Sequence, residues 1–134
     1  MTTTPEVTNR HRALIVEDDP AIRKLVGKLL QRRGVDIDTA RDGREAIEKI
    51  RSGRYSVLIL DLMVPEVNGF EIIDFVKKNH IRTPVAVVSA VSHQALTKLD
   101  KAIVKLVIPK PFDVDEFTAA IIALCCSQPA PSSS

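Results

Sequence analysis

Residues with apolar side chains gather into five short stretches. These are "ALIV" (13–16), "VDIDTA" (35–40), "SVLILD" (56–61), "PVAVVSA" (84–90) and "VKLVIP" (104–109). Several are β-branched throughout instead of alternating apolar with polar, the pattern of strands buried on both faces of a parallel sheet. Helical periodicity fills the intervals. After Asp19 and Pro20, a cap and a first-turn proline, Ile22, Leu25, Val26, Leu29 and Leu30 recur at helical spacing until Gly34. "DGREAIEKIRSG" sets Ala46, Ile47 and Ile50 on one face and stops at Gly53, and "GFEIIDFVKKN" does the same with Phe70, Ile73 and Val76. "SHQALTKLDKA" has the weakest helical pattern, whereas "DVDEFTAAIIALCC" opens with Asp113 and Glu116 at capping-box spacing. A βα unit repeated five times predicts an α/β fold, a parallel sheet with helices on both faces.

Composition narrows the class. The chain has 134 residues, 45% of them hydrophobic and 27% charged, with a net charge of +2 and no basic stripe. That suits one globular domain and argues against nucleic-acid binding. The longest apolar run, "AAIIALCC", is too short to cross a bilayer, and the start "MTTTPEVTNRHR" has no signal-peptide core. Two adjacent cysteines, Cys125 and Cys126, make no disulfide framework, so a reducing cytoplasm is expected. Residues 1–11 and 127–134 read as flexible polar arms flanking a folded unit at 12–126.

Chemistry concentrates at the strand ends. In an open α/β sheet, ligands bind beyond the carboxyl ends of the strands. The first strand runs into Glu17 and Asp18, the third into Asp61, the fourth into Ser89 and the fifth into Lys110. Each has a plain structural explanation: acids cap helices, Asp61 starts a turn, Ser89 bonds backbone, and a lysine before proline is usually exposed. Their coincidence at four strand ends favours a shared site. Two carboxylates about 4 Å apart repel by roughly 4 kcal/mol at a partly buried position. Three of them call for a cation, and a hard divalent ion such as Mg²⁺ suits their oxygens. Lys110 and Ser89 are donors for a phosphoryl group, and a carboxylate beside Mg²⁺ is a feasible nucleophile towards phosphorus.

The motifs "LIVEDDP", "LILDLMVPEVNG", "VAVVSA" and "IPKPF", in this order and spacing, resemble the receiver domain of two-component response regulators over about residues 12–126. The resemblance implies a doubly wound, flavodoxin-like sheet of order 2-1-3-4-5. It implies that Asp61 accepts a phosphoryl group from a sensor histidine kinase or phosphotransfer protein. Asp18 would ligate Mg²⁺ directly, with Mn²⁺ able to substitute, and Glu17 through water; the backbone carbonyl of Met63 would complete the protein ligands. Ser89 would turn to the phosphoryl group, Lys110 would pair with it, and Lys110–Pro111 would be cis. Val107 stands where such domains often carry a switching aromatic, and Ile103 where a glycine is common.

Two rival readings follow. A Mg²⁺-dependent phosphohydrolase would need a second Asp two residues beyond the nucleophile, where Met63 stands. A DNA-binding regulator without its output half would have the same receiver, and "SQPAPSSS" shows no helix-turn-helix pattern. A stand-alone, non-enzymatic signalling module is the preferred expectation. The last helix, apolar in nearly every direction, sets Phe117, Ala120, Ile121 and Leu124 towards the sheet. Ile122 and Cys125 then fall on another face, predicted to be a self-association or output surface.

Overall fold

A computed structural model describes residues 11–127 of the chain. Apart from His11 and Ser127, the arms expected at the two ends lie outside the described residues. The elements are β1 (Arg12–Val16), α1 (Pro20–Gln31), β2 (Asp36–Ala40), α2 (Gly43–Ser52) and β3 (Val57–Leu60), then α3 (Gly69–Lys78), β4 (Val85–Ser89), α4 (His93–Leu96), β5 (Val104–Pro109) and α5 (Val114–Cys126). The five strands pair in parallel in the order β2-β1-β3-β4-β5. This is the expected doubly wound sheet.

The unbroken apolar strands divide between two cores. Leu14, Val16, Leu58, Leu60, Val85 and Val87 face one side with Ala46, Ile50, Ile72 and Val76 from α2 and α3. Ala13, Ile15, Val57, Ile59, Ala86 and Val88 face the other with Val26, Leu30, Phe117 and Ile121 from α1 and α5. Successive side chains alternate faces, so only a run apolar at every position can supply both layers.

Side chains start the helices. Asp19 accepts from the N–H groups of Ala21 and Ile22, Asp42 from Glu45 and Asp113 from Glu116. Asn68 and Glu71 form a reciprocal capping box at α3. The segment with the weakest helical pattern is a single turn, α4, capped by Ser92. Val107 on β5, an outer strand of the sheet, is 40% exposed.

Two glycines draw the loop after β3 inward. A Cβ on Gly43 would lie 1.5 Å from the Val67 carbonyl oxygen, and one on Gly69 would lie 2.6 Å from the Leu62 Cα. Their N–H groups donate to the carbonyls of Pro65 and Leu62 at 3.1 Å each. Any side chain at Gly43 would displace the loop backbone. At the outer margin of the sheet, Asp36 and Ala40 turn their backbone groups to β1. Alternation therefore points the Thr39 carbonyl outward, where the Lys49 ammonium donates to it.

Three expected faces differ in the structure. Leu25 and Phe70 fit their helical patterns but are 45% and 37% exposed; Val26, Leu30, Ile72, Ile73 and Val76 suffice to cover the sheet. The predicted surface on α5 is also corrected. Cys125 is fully buried in the α1–α5 core, and Ile122 is half-buried against the same core. The buried stripe runs through Phe117, Ile121 and Cys125, four residues apart, with Thr118 alongside donating its hydroxyl to the Val114 carbonyl at 2.7 Å. A helix apolar all round has no polar face to fix its rotation, so spacing alone did not distinguish Leu124 from Cys125 as the next inward position.

Gly43→Ala should lower the unfolding free energy by roughly 3 kcal/mol, because an inserted methyl must push backbone aside; urea unfolding measures it, and an unchanged midpoint would contradict the tight approach. The cysteines should separate by reactivity. Burial pushes the Cys125 thiol up to about 11, while Cys126 is exposed. Alkylation of the native protein near neutral pH should modify Cys126 alone, with Cys125 reacting only after denaturation, as peptide mass spectrometry will show.

Candidate functional site

The carboxyl ends of β1, β3, β4 and β5 carry the predicted cluster. Hydrogen bonds align them: the Asp61 N–H donates to the Val16 carbonyl, and the Lys110 N–H to that of Ser89, each at 3.0 Å. Asp61 and Glu17 are 7% and 4% exposed, and Ser89 is buried. Asp18 is exposed at the rim.

Asp61 is held from three directions. Its Oδ1 accepts from the Ser89 hydroxyl at 3.2 Å and from the Met63 N–H at 3.0 Å. Its Oδ2 accepts from the Lys110 ammonium at 3.0 Å. That ammonium also donates to Glu17 Oε1 at 2.8 Å, and Glu17 Oε2 accepts from the Asp19 N–H at 3.2 Å. The peptide between Lys110 and Pro111 is cis. Among the described residues, Glu17, Asp18 and Asp61 place one carboxylate oxygen each within 4.8 Å of one another.

One ammonium does not balance three carboxylates. Burial pushes the Glu17 carboxyl above its ordinary value of 4.5; hydrogen bonds from Lys110 and the Asp19 N–H oppose the rise, and the Asp61 charge adds to it. Burial works against the Lys110 ammonium, yet hydrogen bonds to Glu17 and Asp61 and the charges of both outweigh it and hold the lysine above 10.5. The two shifts differ in origin: burial raises Glu17, and pairing with two carboxylates raises Lys110. Hard oxygens so close together fit a divalent cation such as Mg²⁺.

Every site residue expected at the sheet's rim is therefore brought together: Glu17, Asp18, Asp61, Met63, Ser89 and Lys110. Val107 is exposed on β5, three residues before Lys110. Cys125 belongs to the core formed with α1, and Ile122 is half-buried against it. Two contributions escaped sequence reasoning. The Met63 N–H, not only its expected carbonyl, engages the site. Arg23, one turn into α1, donates from Nη1 to the Glu17 carbonyl at 2.8 Å and reaches the Asp18 carbonyl at 3.5 Å. A guanidinium one helical turn past three acids was the available signal.

The family model of the response regulator receiver domain matches residues 13–122. The chain belongs to the response regulator receiver domain family. It is 33% identical over 122 residues to the transcriptional regulatory protein TcrA of Mycobacterium tuberculosis, covering 90% of this chain and 48% of that protein. The chain spans about half the length of the curated relatives it matches. Among solved structures, the Francisella response regulator 1452 receiver domain has a TM-score of 0.82 at 28% identity, covering 88% of this chain and 98% of that one. The response regulator TrrA of Thermotoga maritima, solved with Mg²⁺-BeF, has a TM-score of 0.76 at 33% identity, covering 85% of this chain and 98% of that one. Receiver domains are phosphoacceptor signalling modules that bind Mg²⁺ at an acidic pocket and take their signal from a histidine kinase. No helix among the described residues is long and apolar enough to cross a membrane.

Burial sets a pH signature. Because Glu17's folded pKa lies above its unfolded value, its contribution to stability is full below about pH 4.5 and is lost as pH rises through the raised folded value. In chelator, the unfolding free energy of wild type minus that of Glu17→Gln should therefore fall as pH rises above about 4.5. A difference that grows with pH would mean that pairing with Lys110 outweighs burial.

Proposed function

We propose that this receiver takes a phosphoryl group onto Asp61 from a phosphohistidine of a sensor histidine kinase or phosphotransfer protein. The observation that carries the reading is the buried Asp61 carboxylate, held by Lys110 and Ser89 beside two further acids. An Asp61 oxygen forms a bond to phosphorus as the bond from phosphorus to the histidine nitrogen breaks, and that nitrogen departs with the electron pair. Glu17, Asp18, Asp61 and the Met63 carbonyl are the residues assigned to Mg²⁺, with Mn²⁺ an acceptable substitute. When bound, the ion neutralises the gathered acids and screens the charge of the entering phosphoryl oxygens. Lys110, already paired with Asp61, stays to pair with the product, and the Ser89 hydroxyl turns from Asp61 Oδ1 to a phosphoryl oxygen. The chain performs this transfer on itself and turns over no separate substrate.

Surface features support a protein partner. Ile22, Leu25, Phe112 and Val114 form an apolar rim beside Lys110 and Pro111, with Leu25 45% and Val114 38% exposed. Output is assigned to the face around Val107, because Ser89 pairs in register with Pro109 and movement of the β4 end passes directly to β5. Self-association is not assigned to Ile122 and Cys125, since Cys125 is fully buried and Ile122 is half-buried against the same core.

The test is labelling with a small phosphodonor and Mg²⁺, mapped by mass spectrometry. Label should sit on Asp61 alone, vanish in Asp61→Asn and require the divalent ion. It should also outlast removal of the donor, because Met63 and Val91, two residues past Asp61 and Ser89, are apolar and orient no water for hydrolysis. Labelling that survives Asp61→Asn or ignores chelator would refute the assignment.

A further inference from the structure

The acidic loop raises a geometric problem that its own side chains do not solve. Glu17 and Asp18 are neighbours directly after an extended strand, where successive side chains point to opposite faces. Yet their carboxylates converge with Asp61 within 4.8 Å. The chain must turn between them, so the peptide unit joining Glu17 to Asp18 determines whether the two acids meet.

That peptide is gripped from the far side. Its oxygen, the Glu17 carbonyl, accepts from Arg23 Nη1 at 2.8 Å, and the same nitrogen lies 3.5 Å from the carbonyl of the next peptide. The first distance is a firm hydrogen bond; the second is a weak one. The Arg23 backbone adds a tie of its own, its N–H donating to the Asp19 carbonyl at 2.9 Å. The Glu17 N–H, in turn, donates to the Ala40 carbonyl at 3.0 Å, which anchors the strand side of the turn. Arg23 therefore fastens the acid loop to the first turn of α1, on a rigid element with a satisfied cap.

We propose that Arg23 is a positioning residue for the divalent-cation site: it touches neither the ion nor the reacting atoms and sets the peptide plane from which Glu17 and Asp18 reach them. The inference rests on the assignment of a cation to these acids. A guanidinium suits the task because Nη1, which meets both carbonyls, is fixed in a rigid planar group, whereas an ammonium is a point charge on a flexible stem.

Charge and positioning make opposite predictions, and this separates them. Arg23 is a cation close to the site, so its removal on electrostatic grounds alone should tighten binding of Mg²⁺. If the side chain acts by holding the loop, removal should weaken it. Outer-shell partners of metal ligands typically change affinity about 10- to 100-fold. The experiment is calorimetric titration of the full chain, not phosphorylated, with MgCl₂ alone. The comparison includes wild type, Arg23→Gln, Arg23→Lys and Asp18→Asn, with thermal melting of each in chelator. The expected result is about tenfold weaker Mg²⁺ binding in Arg23→Gln, a smaller loss in Arg23→Lys, and chelator melts close to wild type. Should Arg23→Gln not fold, the charge-preserving Arg23→Lys still reports, since a purely electrostatic role leaves its affinity unchanged. Unchanged or tighter binding in the Arg23 variants, with binding lost in Asp18→Asn, overturns the positioning role and leaves the cation site standing. Absence of binding in wild type, or full binding in Asp18→Asn, overturns the cation assignment and this inference with it.

Discussion

The Lys110 ammonium stands between two buried carboxylates, 2.8 Å from Glu17 and 3.0 Å from Asp61. These groups come from the ends of β5, β1 and β3, so one cation ties together strands that are far apart in the chain. Removing either acid from water without it would leave a buried charge unpaired, which is strongly destabilising. The arrangement is nevertheless incomplete, because a third acid shares the rim. The fold therefore maintains a deficit of positive charge at the end of its sheet, and that deficit is what a receiver needs in order to attract a cation and then a phosphoryl group.

Maintaining it depends on groups that carry no chemistry. Gly43 and Gly69 let the loop after β3 lie against α2 and the end of its own strand, which keeps the Met63 N–H on Asp61 Oδ1. Asp19 caps α1 through its side chain and bonds Glu17 through its N–H. Backbone donors do here what extra lysines would do less well: they orient oxygen atoms without cancelling the field that draws the cation.

The sheet and its rim were legible because their signals are local and mutually consistent. Strands apolar at every position imply burial on both faces, and Glu17, Asp61, Ser89 and Lys110 each end such a strand. The misread positions lacked that redundancy. Cys125 sits in the second half of a helix where every residue is apolar, so no polar side chain there set the rotation that chooses between Leu124 and Cys125. Leu25 matches the core pattern, yet the sheet beneath α1 is already covered by Val26 and Leu30. Gly43 gave no sign of its role, because the atom it must avoid belongs to Val67, 24 residues away in sequence and adjacent only once α2 and the β3 loop have packed.

The Lys49 ammonium on the outward Thr39 carbonyl has a consequence beyond the single domain. A sheet with two open margins is a template on which a second molecule's strand can grow, the first step of aggregation. At the β2 margin that template carries Asp36 and Asp38 along the strand and a lysine seated on one of its free acceptors. At the opposite margin β5 presents Lys105 at a register shift and finishes in Pro109, which has no N–H to offer. An incoming strand would have to strip a charged group from one border or accommodate a broken ladder at the other, so the parallel sheet ends where its own sequence ends it.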